Sequence, residues 1–238
     1  MIKLVTVAGP PSAGKTSIIL RMFETAPQIK KTGGVIKFDC ISSLDQQRYQ
    51  RHSIKARTGL AGNLCPDHYF VANIQECIQW AEQEKLQLLI TESAGLCNRC
   101  APHLKLMPAI CVLDNLSGIN TPQKTGPMLK LADLIVVTKS DLVSQAEREV
   151  FCFKLQQVNP RARILFINGI TGQGADRLVN FIQDQPLPDH PSPLKLRFVM
   201  PSALCSYCLG ETRVGEGYQI GLNRKINLLP PPAKQHPE

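Results

Sequence analysis

The stretch Leu4–Ser17, read Leu-Val-Thr-Val-Ala-Gly-Pro-Pro-Ser-Ala-Gly-Lys-Thr-Ser, constrains the fold more than any other part of the chain. Leu4, Val5 and Val7 form a short apolar, β-branched run suited to a buried strand. Gly9, four residues, then Gly14-Lys15-Thr16 completes a G-x-x-x-x-G-K-T pattern, and Ile18 to Phe23 continues with helical apolar spacing. Between a strand and a helix, the loop residues Gly9, Pro11, Ser12, Ala13, Gly14, Lys15, Thr16 and Ser17 cradle phosphates with backbone N–H groups at a positive helix end. Lys15 is then placed to reach the β- and γ-phosphates and Thr16 to ligate Mg2+. The competing reading is a plain glycine-rich turn; the flanking strand and helix favour a nucleoside triphosphate site.

Downstream, apolar runs and helical patterns alternate. Strands are expected at Val35–Phe38, Leu86–Thr91, Ala109–Leu113, Leu134–Val137 and Ile164–Ile167, and helices at Ile74–Lys85, Val150–Val158 and Ala175–Gln183. This is the pattern of a three-layer α/β/α fold with a mostly parallel sheet. The expected division is a main domain over 1–185, a proline-rich linker over 186–193, a short Cys-containing extension over 194–229 and a disordered tail over 230–238. The extension is too short to hold a core alone and is expected to add a hairpin to the main body or to be stapled by metal.

Several strands end in groups suited to chemistry. Asp39, at the end of its strand, is placed to hold Mg2+ through water, or to cap a helix beginning near Ser42. Glu92, in Glu92-Ser93-Ala94-Gly95, is delivered to the edge where open parallel sheets bind ligands, and reads as a γ-phosphate sensor and Mg2+ or water acceptor. Thr138-Lys139-Ser140-Asp141 has the form of a guanine-reading loop: the Lys139 stem packs along the base and the Asp141 carboxylate accepts from the guanine N1 and exocyclic amine. Adenine leaves such a carboxylate unpaired. Asn168-Gly169 opens a loop placed to close over the base.

The nine cysteines supply a second theme. Cys65 and His68 can share a soft or borderline metal, though two ligands alone make a weak site. Cys97/Cys100 and Cys205/Cys208 form two Cys-x-x-Cys pairs, whose four thiolates suit one Zn2+ or one [4Fe–4S] cluster; alternatively each pair is a redox dithiol or buried filler. A nucleotide site, many cysteines and a strand-like N-terminus lead us to expect a cytoplasmic protein. No apolar run approaches the roughly 20 residues of a membrane span. The net charge of +8 has its densest patch at Arg48, Arg51, Lys55 and Arg57, without the aromatic interleaving of a nucleic-acid surface, so nucleic acid is not an expected partner.

From about Ile2 to Gln185 these pieces resemble the nickel-handling P-loop GTPases, the urease accessory and hydrogenase-maturation GTPases. Gly9–Thr16 resembles their phosphate loop, Asp39 (with Asp45 following) their Mg2+-linked Asp, and Glu92–Gly95 their Glu-x-x-Gly element. Val112-Leu113-Asp114 through Lys124, Ala132 through Leu142, and Thr171-Gly172-Gln173-Gly174 follow the family's order. The resemblance implies GTP hydrolysis assisted by Lys15, Asp39 and Glu92, coupled to delivery of nickel or another transition metal to a client enzyme or fellow maturation protein. It also implies a nucleotide- or metal-linked homodimer and, with no arginine finger evident, slow turnover in isolation. The departures are informative. Asp67 separates Pro66 from His68 where the urease accessory GTPase has Cys-Pro-His, Cys100 adds a thiol after the Glu-x-x-Gly element, and Cys205/Cys208 has no evident counterpart. Two rival functions stay open at this level: a nucleotide-driven activator with a dimer-bridging iron–sulfur cluster, and a P-loop small-molecule kinase. A third is a nucleotide-dependent scaffold.

Overall fold

A computed structural model describes residues 2–186, 194–200, 210–215, 217–219 and 225–228. Residues 187–193, Cys205, Cys208 and the tail from 229 lie outside the described residues, so the linker, tail and second Cys-x-x-Cys expectations are not addressed by it.

In chain order the elements are β1 (Lys3–Ala8), α1 (Lys15–Thr25), α2 (Pro27–Thr32), β2 (Gly33–Asp39), α3 (Asp45–Arg51), β3 (Lys55–Leu60), α4 (Pro66–Ala72), α5 (Ile74–Gln83), β4 (Leu88–Ser93) and β5 (Ala109–Asp114). They continue with α6 (Thr121–Lys124), α7 (Pro127–Lys130), β6 (Leu134–Thr138), α8 (Gln145–Val158), β7 (Arg163–Phe166) and α9 (Ala175–Asp184). The seven strands form one sheet in the order β3-β2-β4-β1-β5-β6-β7, every pairing parallel. The sheet is thus wholly parallel among the described residues, rather than mostly so.

Alternation along the strands divides the core between two faces. Val5, Val7, Ile90, Val112 and Val136 pack with α1, α3 and α9 residues such as Ile19, Phe23, Tyr49 and Phe181. Leu4, Leu89, Ile36 and Phe38 face Tyr69, Phe70, Ile74 and Trp80 of α4 and α5. Leu196, Met200, Val214, Ile226 and Leu228 of the C-terminal segment join this second cluster. Antiparallel bridges tie Leu196 to Leu104 and Lys195 to Arg213, and Arg197 forks onto Asp133 at 2.6 and 2.7 Å. The described parts of the extension therefore lie on the sheet's face.

Two elements were not among those expected from the sequence. Lys55–Leu60 is an edge strand. Arg57 lies over the Trp80 ring at 5.8 Å and donates to the Leu228 carbonyl at 2.9 Å. Cys65-Pro66-Asp67-His68 is a helix start, with Cys65 at the N-cap and Pro66 in the first turn, where its missing N–H costs nothing. No helix among the described residues is long and apolar enough to cross a membrane.

Candidate functional site

Strand β1 lies at the topological switch point, with β2, β3 and β4 laid down on one side of it and β5, β6 and β7 on the other, and the glycine loop sits at its C-terminal end. Close approach demands glycine twice. A Cβ on Gly9 (φ +143) would lie 2.1 Å from the Val112 carbonyl oxygen, and one on Gly95 (φ +74) 1.7 Å from the Gly9 oxygen. The Glu92–Gly95 segment is thereby pressed against the loop. Lys15 Nζ donates to the carbonyls of Gly9 (2.8 Å), Pro10 (2.7 Å) and Ala94 (3.4 Å). Burial lowers its pKa to about 8, although the Glu92 carboxylate pulls the other way.

Glu92 is fully buried and holds three donors: Thr16 Oγ1 (2.7 Å) and Lys37 Nζ (2.8 Å) on one oxygen, Tyr49 OH (2.6 Å) on the other. Lys37 also reaches Asp45 at 3.1 Å. Burial works to lower the pKa of Lys37, but Glu92 and Asp45 outweigh it and raise it. Burial, then Glu92, pushes the Tyr49 phenol well above its ordinary value, so it stays a donor. Lys15, Thr16, Lys37, Asp39, Asp45, Arg48 and Glu92 line one cleft of about 320 Å3. Its carboxylate and hydroxyl oxygens are hard donors of the kind Mg2+ takes. Lys37 and Tyr49 were not singled out from sequence. The signal for Lys37 is a cation on the same strand face as Asp39, two residues away.

The guanine-loop residues fall at the neighbouring strand end. Thr138 Oγ1 donates to the Ala13 carbonyl at 2.7 Å, fastening β6 to the phosphate loop. Lys139 is left-handed (φ +58), with Nζ 3.0 Å from the Ser12 oxygen and 3.1 Å from Asp114 Oδ2. Asp141, Arg148, Phe166 and Asn168 line a second cleft of about 260 Å3. Asn168 Oδ1 accepts from the Ile170 and Thr171 amides at 2.8 and 3.0 Å, and the Gly169 carbonyl accepts from Arg21 Nε at 3.4 Å.

On the other face, the fold draws together thiols that sequence spacing separates. Cys65, from the start of α4, meets Cys97 and Cys100, and the three sulfurs lie within 4.8 Å of one another. Cys65 and Cys100 are 3.8 Å apart, and His68 Nδ1 is 3.9 Å from Cys100 Sγ. Hydrogen bonding to Cys100 lowers the Cys65 pKa, while the same contact raises that of Cys100, so Cys65 is the readier thiolate. His68 Nε2 is buried without a partner. Three soft sulfurs, with His68 Nδ1 near one of them, fit a soft or borderline ion such as Zn2+ or Ni2+. Cys65 and the Cys97/Cys100 pair thus meet in one place, with His68 beside Cys100 but outside the set of three.

The CobW/HypB/UreG nucleotide-binding domain family model matches residues 3–166. The chain belongs to the CobW/HypB/UreG family. Within this family's reach, an uncharacterised protein of Methanocaldococcus jannaschii is 41% identical over 227 residues, 95% of this chain and 97% of that one. A probable hydrogenase maturation factor HypB of the same organism is 25% identical over 180 residues, covering 74% of this chain and 79% of the relative. The crystal structure of HypB from Helicobacter pylori in complex with nickel superposes with a TM-score of 0.63 at 19% identity, covering 79% of this chain and 91% of that one. The P-loop NTPase fold expected from sequence is therefore found, and the expected relationship to the HypB and UreG GTPases with it.

Proposed function

We propose that this member of the CobW/HypB/UreG family is a Mg2+-dependent GTPase whose nucleotide state gates the delivery of a thiolate-bound transition metal to a client metalloenzyme or another maturation protein. One observation carries the reading: the Cys65/Cys97/Cys100 cluster is joined, five residues along the chain from Glu92 to Cys97, to the segment that presses on the phosphate loop.

In this reading the loop amides and Lys15 hold the phosphates, and Thr16, with Asp39 and Glu92 through water, holds Mg2+. The ion supplies charge stabilisation for phosphoryl transfer when bound. Glu92 keeps Thr16 and Lys37 aimed into the cleft and is placed to orient water. Lys139 and Asp141 select guanine, with Asn168 and Gly169 closing the base cleft. Cys65, Cys97 and Cys100, with His68, take the cargo metal, nickel or zinc. Leu96, which lines the cleft, and Ile41 and Leu44, on the segment between the cleft residues Asp39 and Asp45, are exposed at 57%, 82% and 72% and support a homodimer closed over the nucleotide, within the cytoplasm. Residues 1–185 act as the GTPase domain, with a linker over 186–193, an extension over 194–229 whose described parts brace the sheet, and a tail over 230–238.

Metal analysis of anaerobically prepared wild type, Cys100→Ser and Cys205→Ser, alongside GTP turnover, tests this. We expect one metal per wild-type chain, loss in Cys100→Ser, and GTP hydrolysis slower than one turnover per second. Equal metal content in wild type and Cys100→Ser removes the cluster from the function, and phosphate transfer to a small molecule rather than water removes the GTPase.

A further inference from the structure

The last two residues of β4 look in opposite directions. The pleat turns Glu92 toward α1 and α3, where it meets Thr16, Lys37 and Tyr49, and turns Ser93 toward α4. There Ser93 Oγ donates to Asp67 Oδ1, and it accepts the Gly95 amide at 3.1 Å. Asp67 is buried between two of the cluster residues in sequence, Cys65 and His68, and its second oxygen has no hydrogen-bond partner. Gly95 in turn is packed on Gly9, and the neighbouring Ala94 carbonyl lies on Lys15. An unbroken set of contacts therefore runs from the thiol cluster through Asp67, Ser93 and Gly95 to the phosphate loop.

Resting on the GTPase and thiolate readings above, we infer that the Asp67–Ser93 hydrogen bond carries the coupling between metal and nucleotide, with Asp67 and Ser93 as positioning residues. Coupling requires an element with two arrangements that both sites bias. The Gly95 N–H is that element: it points at Ser93 Oγ here, and a Cβ built on Gly95 would lie 3.4 Å from Lys15 Nζ, so the Gly95 backbone runs beside the lysine where, on this inference, a γ-phosphate oxygen competes for the amide. When the phosphate takes the amide, Ser93 Oγ loses its donor and its hold on Asp67 is reset. The backbone carrying Cys65 and His68 moves with Asp67. Metal ligation fixes those same two residues and so resets the competition from the other side. The residue that interrupts the Cys-Pro-His arrangement is, on this account, the lever.

The test measures Co2+ affinity from its thiolate charge-transfer absorption, with Mg2+ and either GDP or a non-hydrolysable GTP analogue. Wild type is expected to differ at least about fivefold between the two nucleotides, the low end of ordinary couplings, and the ratio of analogue to GDP affinity must change by the same factor on adding Co2+. Ser93→Ala is expected to bind one Co2+ with the thiolate band retained and a nucleotide ratio within twofold of one. Ser93→Thr restores the ratio. Asp67→Val, which puts an apolar group at a fully buried position, gives the same collapse by a second route. A wild-type ratio within twofold of one, or a wild-type ratio persisting in Ser93→Ala, overturns the inference while leaving the cluster and the GTPase standing. Absence of any thiolate band in wild type overturns the cluster itself, and the coupling with it.

Discussion

On one side of β4, Glu92 has both oxygens engaged by three donors within 2.8 Å, and Thr16, Lys37 and Tyr49 are held by it in turn. On the other side, Asp67 keeps an oxygen and His68 a nitrogen buried without partners, and three thiols crowd together. The nucleotide side is assembled from internal partners, which is how a site is preorganised for charge that arrives later. The thiol side is incomplete in its own terms, and buried polar atoms left unpaired cost free energy that a metal relieves. The contrast is between Glu92 and the Asp67/His68 pair rather than between whole faces, because Asp114 Oδ1 and Arg148 Nε, on the nucleotide side, are also buried without partners.

The largest effect expected breaks the rigid side. Lys37→Met strands the buried Glu92 carboxylate and should cost about 3–5 kcal/mol in chemical denaturation. Lys37→Met/Glu92→Gln should recover much of it, and a loss below 1 kcal/mol for the single variant means the ion pair is not what orders the cleft.

His103 stands outside both clusters and calibrates the body's own response to acid. Its Nε2 faces the Met128 carbonyl at 3.0 Å, and Thr6 Oγ1 lies 2.9 Å from its Nδ1. Burial lowers its pKa to about 4, despite that bond to Met128. The unfolded chain binds the proton first, so stability should fall by about 3 kcal/mol as pH drops from 6.5 to 4. His103→Gln should flatten that slope in equilibrium unfolding, and an unchanged slope assigns the acid loss to the carboxylates of the cleft.

Asp141→Asn should weaken GDP binding about 10- to 100-fold, the cost of unpairing a guanine donor set, and leave adenine nucleotides unaffected. Calorimetric titration with both bases decides it, and equal losses for GDP and ADP would place Asp141 outside the base cleft. The smallest effect is Thr138→Val. Losing the bond to the Ala13 carbonyl should cost about 1 kcal/mol, near fivefold in nucleotide affinity, with metal affinity in GDP unchanged.

Much of the rigid side was legible because its signals are local. The phosphate loop is one contiguous motif, Asp39 and Glu92 sit in the last two residues of β2 and β4, and Asp141 follows β6, each just past an apolar run. Thr138 opens the Thr138–Asp141 stretch, and its hydroxyl ties β6 to the phosphate loop. Tyr49 was hidden because its burial depends on α3 crossing β3, and β3 itself was hidden. In Lys55-Ala56-Arg57-Thr58-Gly59-Leu60 only Ala56 and Gly59 are buried, so an edge strand imitates a polar loop. The thiol side was legible only in fragments. Spacing suggested Cys97/Cys100 and, separately, Cys65/His68, but their meeting depends on α4 starting at Pro66 beside the end of β4. Proline at a helix start was the available clue, with Tyr69-Phe70-Val71 following it.

The strand order has a consequence for synthesis. β1 carries the phosphate loop and is made first, yet both of its neighbours come late, β4 beginning at Leu88 and β5 at Ala109. A ribosome adding roughly 5–20 residues per second leaves the 79 residues between β1 and β4 to be made over roughly 4–16 s. For that interval an interior strand of the sheet has no strand on either side. The nascent chain therefore presents its future active-site strand to chaperones before it can present it to nucleotide.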